Sequence, residues 1–350
     1  MFDIMIVYDA HLAHSAADPT YREPAPFSIN GEYFNCNATY QYFIEYCQQQ
    51  GLKAAFTTTH DINAAGQFSS VWTYTTTWER HLEVTGTKVI FDKFSNLLTR
   101  NHAAYKILTT ILKPLPLLHN QAMRIMFDNK LETYLQFPSY TIPTVQLDSL
   151  APASIEKAER ALAAQCRVHP YRDDFGSDLV LKDQFGIGGN QIYKITDDAD
   201  FTAIPFNPAT HYILQPLIQA SGFAIDHYTG SSDLRVIICN DQIIQSYLRI
   251  AKAGEFRANA QQGGEVVYLT LDKIPADVLT MITEIKQHFP NKTALYTLDF
   301  IKSNHGHLYF IEGNNSPGLN WFDREDETRA KELIHLLVNN LQQLILQPNH

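Results

Sequence analysis

Apolar positions along this chain fall into two patterns, short unbroken runs and longer stripes with helical spacing. Residues 2–8 (FDIMIVY) are a short apolar run and predict a first buried strand. A polar, proline-containing stretch follows at 11–35, and loops of that length are often functional. The spacing at 38–50 predicts a helix, with Gly51 placed to cap its end. Strands are expected at 53–59, 71–77 and 88–91. This alternation predicts a small α/β unit with a mainly parallel sheet.

Helical patterns cover 101–112 and 120–136, with a break at 113–116. Pro138 and Pro143 bound an extended piece, TIPTVQL, at 141–147. A helix at 154–165 precedes a strand at 179–182, a glycine-rich turn and a strand at 191–195. The run 211–217 is expected to be a strand that carries the chain into a further sheet. Strands at 234–238 and 242–249 flank Asn240-Asp241, a pair suited to a tight turn. A helix at 274–288 leads to strands at 294–301 and 308–312, joined by the turn 303–306. The stretch 324–346 predicts a long helix, charged early and rich in Leu and Ile late. At 350 residues the chain has room for two or three compact units.

Composition narrows the partners. The formal net charge of -10, with no basic cluster, argues against polynucleotides, whose phosphates demand Lys and Arg. A small anion can still be held by a few cations and backbone N–H groups. Cys36, Cys47, Cys166 and Cys239 form no CxxC pair and read as reduced thiols. No basic leader precedes an apolar segment, and no apolar run approaches the roughly 20 residues that span a bilayer. The expectation is a soluble, cytoplasmic protein with no membrane partner.

Four constellations carry chemistry. Asp299 on one strand and Glu312 and Asn314 at the end of the next offer hard oxygen ligands of the kind Mg²⁺ prefers beside phosphate. In LVLKDQFGIGGNQIYKI (179–195), Lys182 ends an apolar strand, and Gly186, Gly188 and Gly189 sit in the turn after it. Glycines let backbone N–H groups approach a phosphate, and lysine adds charge. The spacing is neither a Walker A loop nor a dinucleotide fingerprint, so the turn reads as a hairpin cover. Lys130 and Lys182 can act together as point charges on phosphates. Arg235 and Arg249 fall on opposite arms of a hairpin, with Arg257 and Asn259 following, and arginines neutralise charge on a transferring phosphoryl group. No GxSxG elbow and no HExxH occurs, and His11 and His14 lack further ligands.

The order of these pieces resembles the ATP-grasp superfamily. It runs from a lysine before an IPT segment and a lysine–glycine loop to YILQPLI and DLRV, then GEFRAN with Gly263-Gly264, and finally LDF and EGNNSPGL. The segment from Asp233 to Leu319 looks most like the ribosomal-protein glutamate ligase branch, with bacterial glutathione synthetase a more distant likeness. The resemblance spans roughly residues 90–325. It implies an N-terminal α/β domain (1–120), a small ATP-grasp lobe with the glycine loop (121–213), and a large lobe with the metal site and C-terminal helix (214–350). ATP would lie between the two lobes. Lys130 and Lys182 would contact its phosphates, and Gln215, Pro216, Leu217 and Ile218 would form the hinge beside the adenine. Arg235 and Arg249 would hold the γ-phosphate and an acyl phosphate, and Asn259 the phosphate or substrate end. Asp299, Glu312 and Asn314 would bind two Mg²⁺ ions, with Mn²⁺ a substitute.

The chain departs from the family where Gln215 replaces a usual acid, and where 219–232 lengthens a short link. The lengthened link leaves the ribose-holding acid of the family unassigned, with Asp226 the candidate. The implied activity is ATP-dependent carboxylate–amine ligation through an acyl phosphate, releasing ADP and phosphate. Its alternatives are a small-molecule kinase and a non-catalytic ATP-binding regulator. The acceptor would be a small molecule, peptide or protein, and the family suggests dimers or tetramers. The loop 11–35 and the insertion 222–232 are expected to shape the acceptor site.

Overall fold

A computed structural model describes the chain apart from residues 14–19, 95–105, 113–114, 119, 187–190, 229, 253–264, 290–292, 322–323 and 347–350. The described residues build three sheets. The first contains β1 (Phe2–Tyr8), β2 (Ala54–Thr58), β3 (Val71–Tyr74), β4 (Trp78–His81) and β5 (Thr87–Lys93), in the order β4-β3-β2-β1-β5. Its centre is parallel, with β1 between β2 and β5. The parallel expectation fails at β3 and β4, which add antiparallel strands on one edge. Helix α1 (Cys36–Gln49) ends at Gly51, whose φ of 74° is the left-handed conformation expected of it.

The helical stretch expected at 101–112 lies partly outside the described residues; Ile107–Ile111 form a short π-helix. The stretch at 120–136 is two helices, α2 (Gln121–Phe127) and α3 (Lys130–Gln136). Local side-chain chemistry splits them. Asn120 caps α2 by accepting from the Met123 N–H, and Asn129 caps α3 by accepting from Leu131 and Glu132. Met123 and Phe127 of α2 enter the core of the third sheet.

The second sheet has the order β6 (Val145–Leu147), β9 (Tyr212–Pro216), β7 (Leu179–Asp183), β8 (Ile192–Ile195), covered by α4 (Pro152–Val168). The strand expected to open a further sheet is therefore β9, an interior strand of this one, paired with both β6 and β7. The chain changes sheets only after Pro216.

The third sheet is antiparallel, in the order β12 (Glu265–Leu269), β11 (Gln242–Ile250), β10 (Ser232–Cys239), β13 (Leu295–Lys302), β14 (Leu308–Asn314). Asn240 and Asp241 both take positive φ, 45° and 71°, as a two-residue primed turn requires. Helix α5 (Ala276–Gln287) buries Val278, Ile282 and Ile285 against this sheet. Helix α6 (Arg324–Leu346) does something the sequence pattern did not reveal. Its apolar stripe of Leu333, Ile334, Leu337, Val338 and Leu341 joins a core with Phe43 of α1, Phe91 of β5, and Ile237 and Leu295 of the third sheet. His335 stacks on Tyr46 of α1 with ring centroids 3.9 Å apart. The first and third sheets thus share one helix. No helix among the described residues is long and apolar enough to cross a membrane.

Candidate active site

A cleft runs between the second and third sheets. Its charged end follows from strand register. On β10, Asp233 lies opposite Arg249 of β11, and Arg235 lies opposite Asp299 of β13. Residues two apart on a strand face the same side, so these four side chains meet. Arg249 Nε and Nη2 donate to the two oxygens of Asp233 at 2.6 and 2.9 Å, and Nη2 also reaches Asp299 at 2.7 Å. Arg235 grips Asp299 bidentately at 2.7 and 2.5 Å. The result is a neutral, buried chain of alternating charge.

The chain shifts its members' proton affinities. Burial pushes Asp299 up, but the two arginines outweigh it and hold its carboxyl below the usual range. Asp233 is raised by burial, with Arg249 opposing and the charge of Asp299 adding to the rise. Arg235 is held fully protonated: burial disfavours its charge, but Asp299 more than compensates. Asp233 was not singled out from the sequence. Its position opposite Arg249 in the predicted hairpin was the available signal.

Glu312 is the register partner of Asp299 on β14, and Asn314 lies two residues on, on the same face. Between them, Gly313 meets the Phe127 ring: a Cβ there would lie 2.3 Å from it. The glycine is needed because α2 packs directly on the strand that carries the two polar residues. Asn314 Oδ1 accepts from the Ser316 N–H at 2.9 Å, and the residue lies outside the cleft lining.

Lys130 reaches the same place from the opposite wall. The Asn129 cap accepts from Gln184 Nε2 at 2.8 Å, and the Lys130 N–H donates to the Gln184 carbonyl at 3.1 Å, so α3 is pinned to the end of β7. The Lys130 ammonium then lies 2.5 Å from the Gly186 carbonyl and 3.7 Å from Glu312. Lys182 of β7 lines the same end. Burial pulls its ammonium down to about 8, with Glu312 opposing and Lys130 reinforcing the shift. Gly188, Gly189 and Asn259, with the whole GEFRAN segment, lie outside the described residues.

Another part of the cleft is apolar, where Ile142 and Ile218 pack together with Ile301 against them. Gln215, Pro216 and Leu217 pass along it as the chain leaves β9. Leu217 N–H is spent on the Asp178 carbonyl at 2.8 Å. The side chain of Gln215 is buried, and its Nε2 donates to Thr144 Oγ1 at 2.7 Å. Thr144 in turn donates to the Ile142 carbonyl at 2.8 Å, so its hydroxyl proton is committed and the orientation of the Gln215 amide is fixed. Gln215 Oε1 is left buried without a partner. A buried acceptor of that kind costs about 1–3 kcal/mol unless a ligand donor meets it.

Asp226 does not line the cleft. It is exposed, with φ 53°, and pairs with Lys273 at 2.7 Å. The insertion around it has a packing role. Phe223 and Ile225 sink into the core of the third sheet, and Gly222, with φ 74°, sits so close to the Gly230 carbonyl that no side chain fits. In the loop 11–35, Tyr21 and Phe27 join the core of the first sheet, while His14 lies outside the described residues.

The family description "RimK-like ATP-grasp domain" matches residues 152–337, more than half of the chain. The chain belongs to the RimK-like ATP-grasp family. A probable alpha-L-glutamate ligase of Ectopseudomonas mendocina is 32% identical over 113 residues, covering 32% of this chain and 35% of that protein. One of Stutzerimonas stutzeri is 33% identical over the same length and shares. The chain thus spans about a third of the length of the curated relatives it matches.

Solved ATP-grasp structures share the fold over nearly the whole chain. D-alanyl-alanine synthetase A from Vibrio cholerae superposes with a TM-score of 0.61 at 13% identity, covering 99% of this chain and 100% of that one. A RiPP-associated ATP-grasp ligase of Chryseobacterium gregarium, solved with ADP and a leader and core peptide, gives 0.55 at 14% identity, covering 100% and 98%. A RimK domain protein of Sphaerobacter thermophilus gives 0.55 at 12% identity, covering 96% and 98%. These likenesses bear out the α/β fold class, an N-terminal domain followed by an ATP-grasp region. Membership of an ATP-grasp family implies use of ATP, typically with Mg²⁺.

Proposed function

We propose that the protein is an ATP-dependent carboxylate–amine ligase that works through an acyl phosphate. The observation that carries this reading is the junction of Arg235, Asp299 and Arg249 beside Glu312, the register partner of Asp299, whose carboxylate lies 3.7 Å from the Lys130 ammonium. Guanidinium groups fixed in a buried site are suited to the spread charge of a transferring phosphoryl group. The apolar end supports an adenine: its exocyclic amine would donate to the orphaned Gln215 Oε1, which guanine, with an oxygen there, would not satisfy. No ribose acid is proposed, since Asp226 stands apart from the cleft.

Asp299, Glu312 and Asn314 fit Mg²⁺ by donor type, all hard oxygens on adjacent strands. Asp299 already accepts three hydrogen bonds of the roughly four its carboxylate can take. One acceptor position is left for a metal, and a second metal contact would require Arg235 to turn from Asp299 toward a phosphate. We propose two ions, with Mn²⁺ able to substitute; bound there, they would offset the charge of the terminal phosphates.

The steps use the chain's own groups. Lys130 and Lys182 hold the phosphates, and a substrate carboxylate attacks the γ-phosphorus. The bond to the β-phosphate oxygen breaks and ADP forms. Arg235 and Arg249 stabilise the transferring group and then the acyl phosphate. An amine attacks the acyl carbon, loses a proton, and phosphate leaves. By the family resemblance, the glycine turn after Lys182 would keep water from the acyl phosphate. The acceptor is an amino acid or a peptide, the classes on which the ligases of similar fold act, and we propose a cytoplasmic setting and a homo-oligomer.

The test is incubation with Mg-ATP and pooled amino acids, carboxylic acids and short peptides, followed by mass spectrometry. ADP with a product equal to two pool members minus water is expected. ADP with a product heavier by one phosphoryl group makes the protein a kinase. ATP bound without turnover points to a macromolecular acceptor outside the pool or to a regulator, and adding protein acceptors separates the two.

A further inference from the structure

A second cavity shares Leu217 with the cleft and is bordered by Asp174, Ser303 and His305. Asp174 closes a short 3-10 turn (Arg172–Asp174) between α4 and β7. The two histidines come from the tight turn joining β13 to β14. The Ser303 N–H donates to the His307 carbonyl at 2.9 Å, and the His307 N–H to Ser303 Oγ at 3.1 Å. With Gly306 at φ 83° the turn is tight enough to bring both rings onto one carboxylate. His305 Nδ1 lies 2.6 Å from Asp174 Oδ1, and His307 Nδ1 lies 3.0 Å from Oδ2.

We propose that Asp174, His305 and His307 form a binding site for a divalent transition ion of the Zn²⁺ class. The donor set is two imidazole nitrogens and a carboxylate oxygen, the set such ions prefer and Mg²⁺ does not. The ligand atoms all lie within 4.8 Å of one another. Zinc at about 2.0–2.1 Å from each would hold them roughly 3.3 Å apart, so the rings and carboxylate need only small adjustments. Both rings can make them, since the His305 side chain is 57% exposed and that of His307 35%, whereas Asp174 is 1% exposed. Each neutral ring keeps its proton by passing it from Nδ1 to Nε2.

The surroundings orient the ligands. Tyr309 donates its hydroxyl to Asp174 Oδ2 at 2.6 Å, fixing the carboxylate, and Tyr171 stacks on His307 at 4.2 Å and 8°. Three protein ligands leave a fourth coordination position for water or a small ligand. The ion would tie the turn that follows α4, on the second-sheet side, to the β13–β14 turn of the third sheet.

The test is calorimetric titration of Zn²⁺ into full-length, chelator-treated protein without nucleotide, with Mg²⁺ in excess to saturate hard oxygen sites. One equivalent is expected to bind, and His305→Ala and His307→Ala should each weaken binding by at least about tenfold. Co²⁺ should give the visible absorption of a four-coordinate ion in the unsubstituted protein and lose it in His305→Ala. Failure of the unsubstituted protein to take up Zn²⁺ overturns the proposal. So does unchanged affinity in both histidine variants, which would put the ion elsewhere. Because His305 is largely exposed, its variant should fold even where Asp174→Asn does not.

Discussion

At one end of the cleft four ionised side chains on three adjacent strands neutralise one another. At the other, the amide oxygen of Gln215 sits buried with no donor to meet it. The four-residue chain of charges at the first end is complete within one sheet. The apolar end exists only where two sheets face each other, and its one polar group depends on Thr144 from a third segment. The charged end is therefore tied to the stability of the third sheet, whereas the apolar end is held open for a ligand.

The largest effect expected from breaking that contrast is at Asp299. Asp299→Asn leaves two buried guanidinium groups short of a counter-charge, which should cost about 3–5 kcal/mol in urea unfolding. ADP release should fall by on the order of a thousandfold. Loss of activity with the fold intact is thus not the expectation here, because Asp299 holds the sheet as well as the site. Glu312 separates the two roles, since it stands outside the charged chain. Glu312→Gln should lower turnover by roughly a hundredfold or more and leave stability within about 0.5 kcal/mol. An equal loss of stability in both variants would erase the distinction. Gly313→Ala drives a methyl into the Phe127 ring and should cost about 1–3 kcal/mol, read from the urea midpoint.

Smaller effects sharpen the contrast. The Lys182 ammonium loses its proton as pH rises through about 8, so attraction for phosphate is present below that pH and fades above it. The ATP dissociation constant should therefore rise several-fold through that window, and Lys182→Arg, charged throughout, should flatten the profile. At the apolar end, Gln215→Leu removes one acceptor and should weaken ATP binding by about fivefold, near 1 kcal/mol. Its effect on GTP should be smaller, and equal losses for the two nucleotides would remove Gln215 from base recognition.

These differences also mark what could be read from the sequence. The neighbours Asp233–Arg249 and Asp299–Glu312 follow from two hairpins whose spacing fixes register, whereas the meeting of Arg235 with Asp299 joins strands 64 positions apart and could not be read locally. Lys182 and Gly186 were legible as a pair because a strand and the turn after it are local events. The role of β9 was misplaced, since an apolar run does not say which sheet will accept it. The packing of Phe223 and Ile225, the partner of Asp226, and the Gln215–Thr144 pair depend on segments far apart in the chain. The Asp174–His305–His307 cluster joins residues more than a hundred positions apart, so no local spacing could announce it.

The sharing of α6 between the first and third sheets has a consequence during synthesis. Phe43 and Phe91 emerge from the ribosome early, but the leucines that share their core lie at 333–341 and emerge much later. The N-terminal sheet must therefore wait, with part of its apolar face uncovered, until almost all of this chain has been translated. A fragment ending before α6 would expose that face permanently, and ribosome-stalled intermediates of this length are natural clients for a chaperone that shields apolar surface.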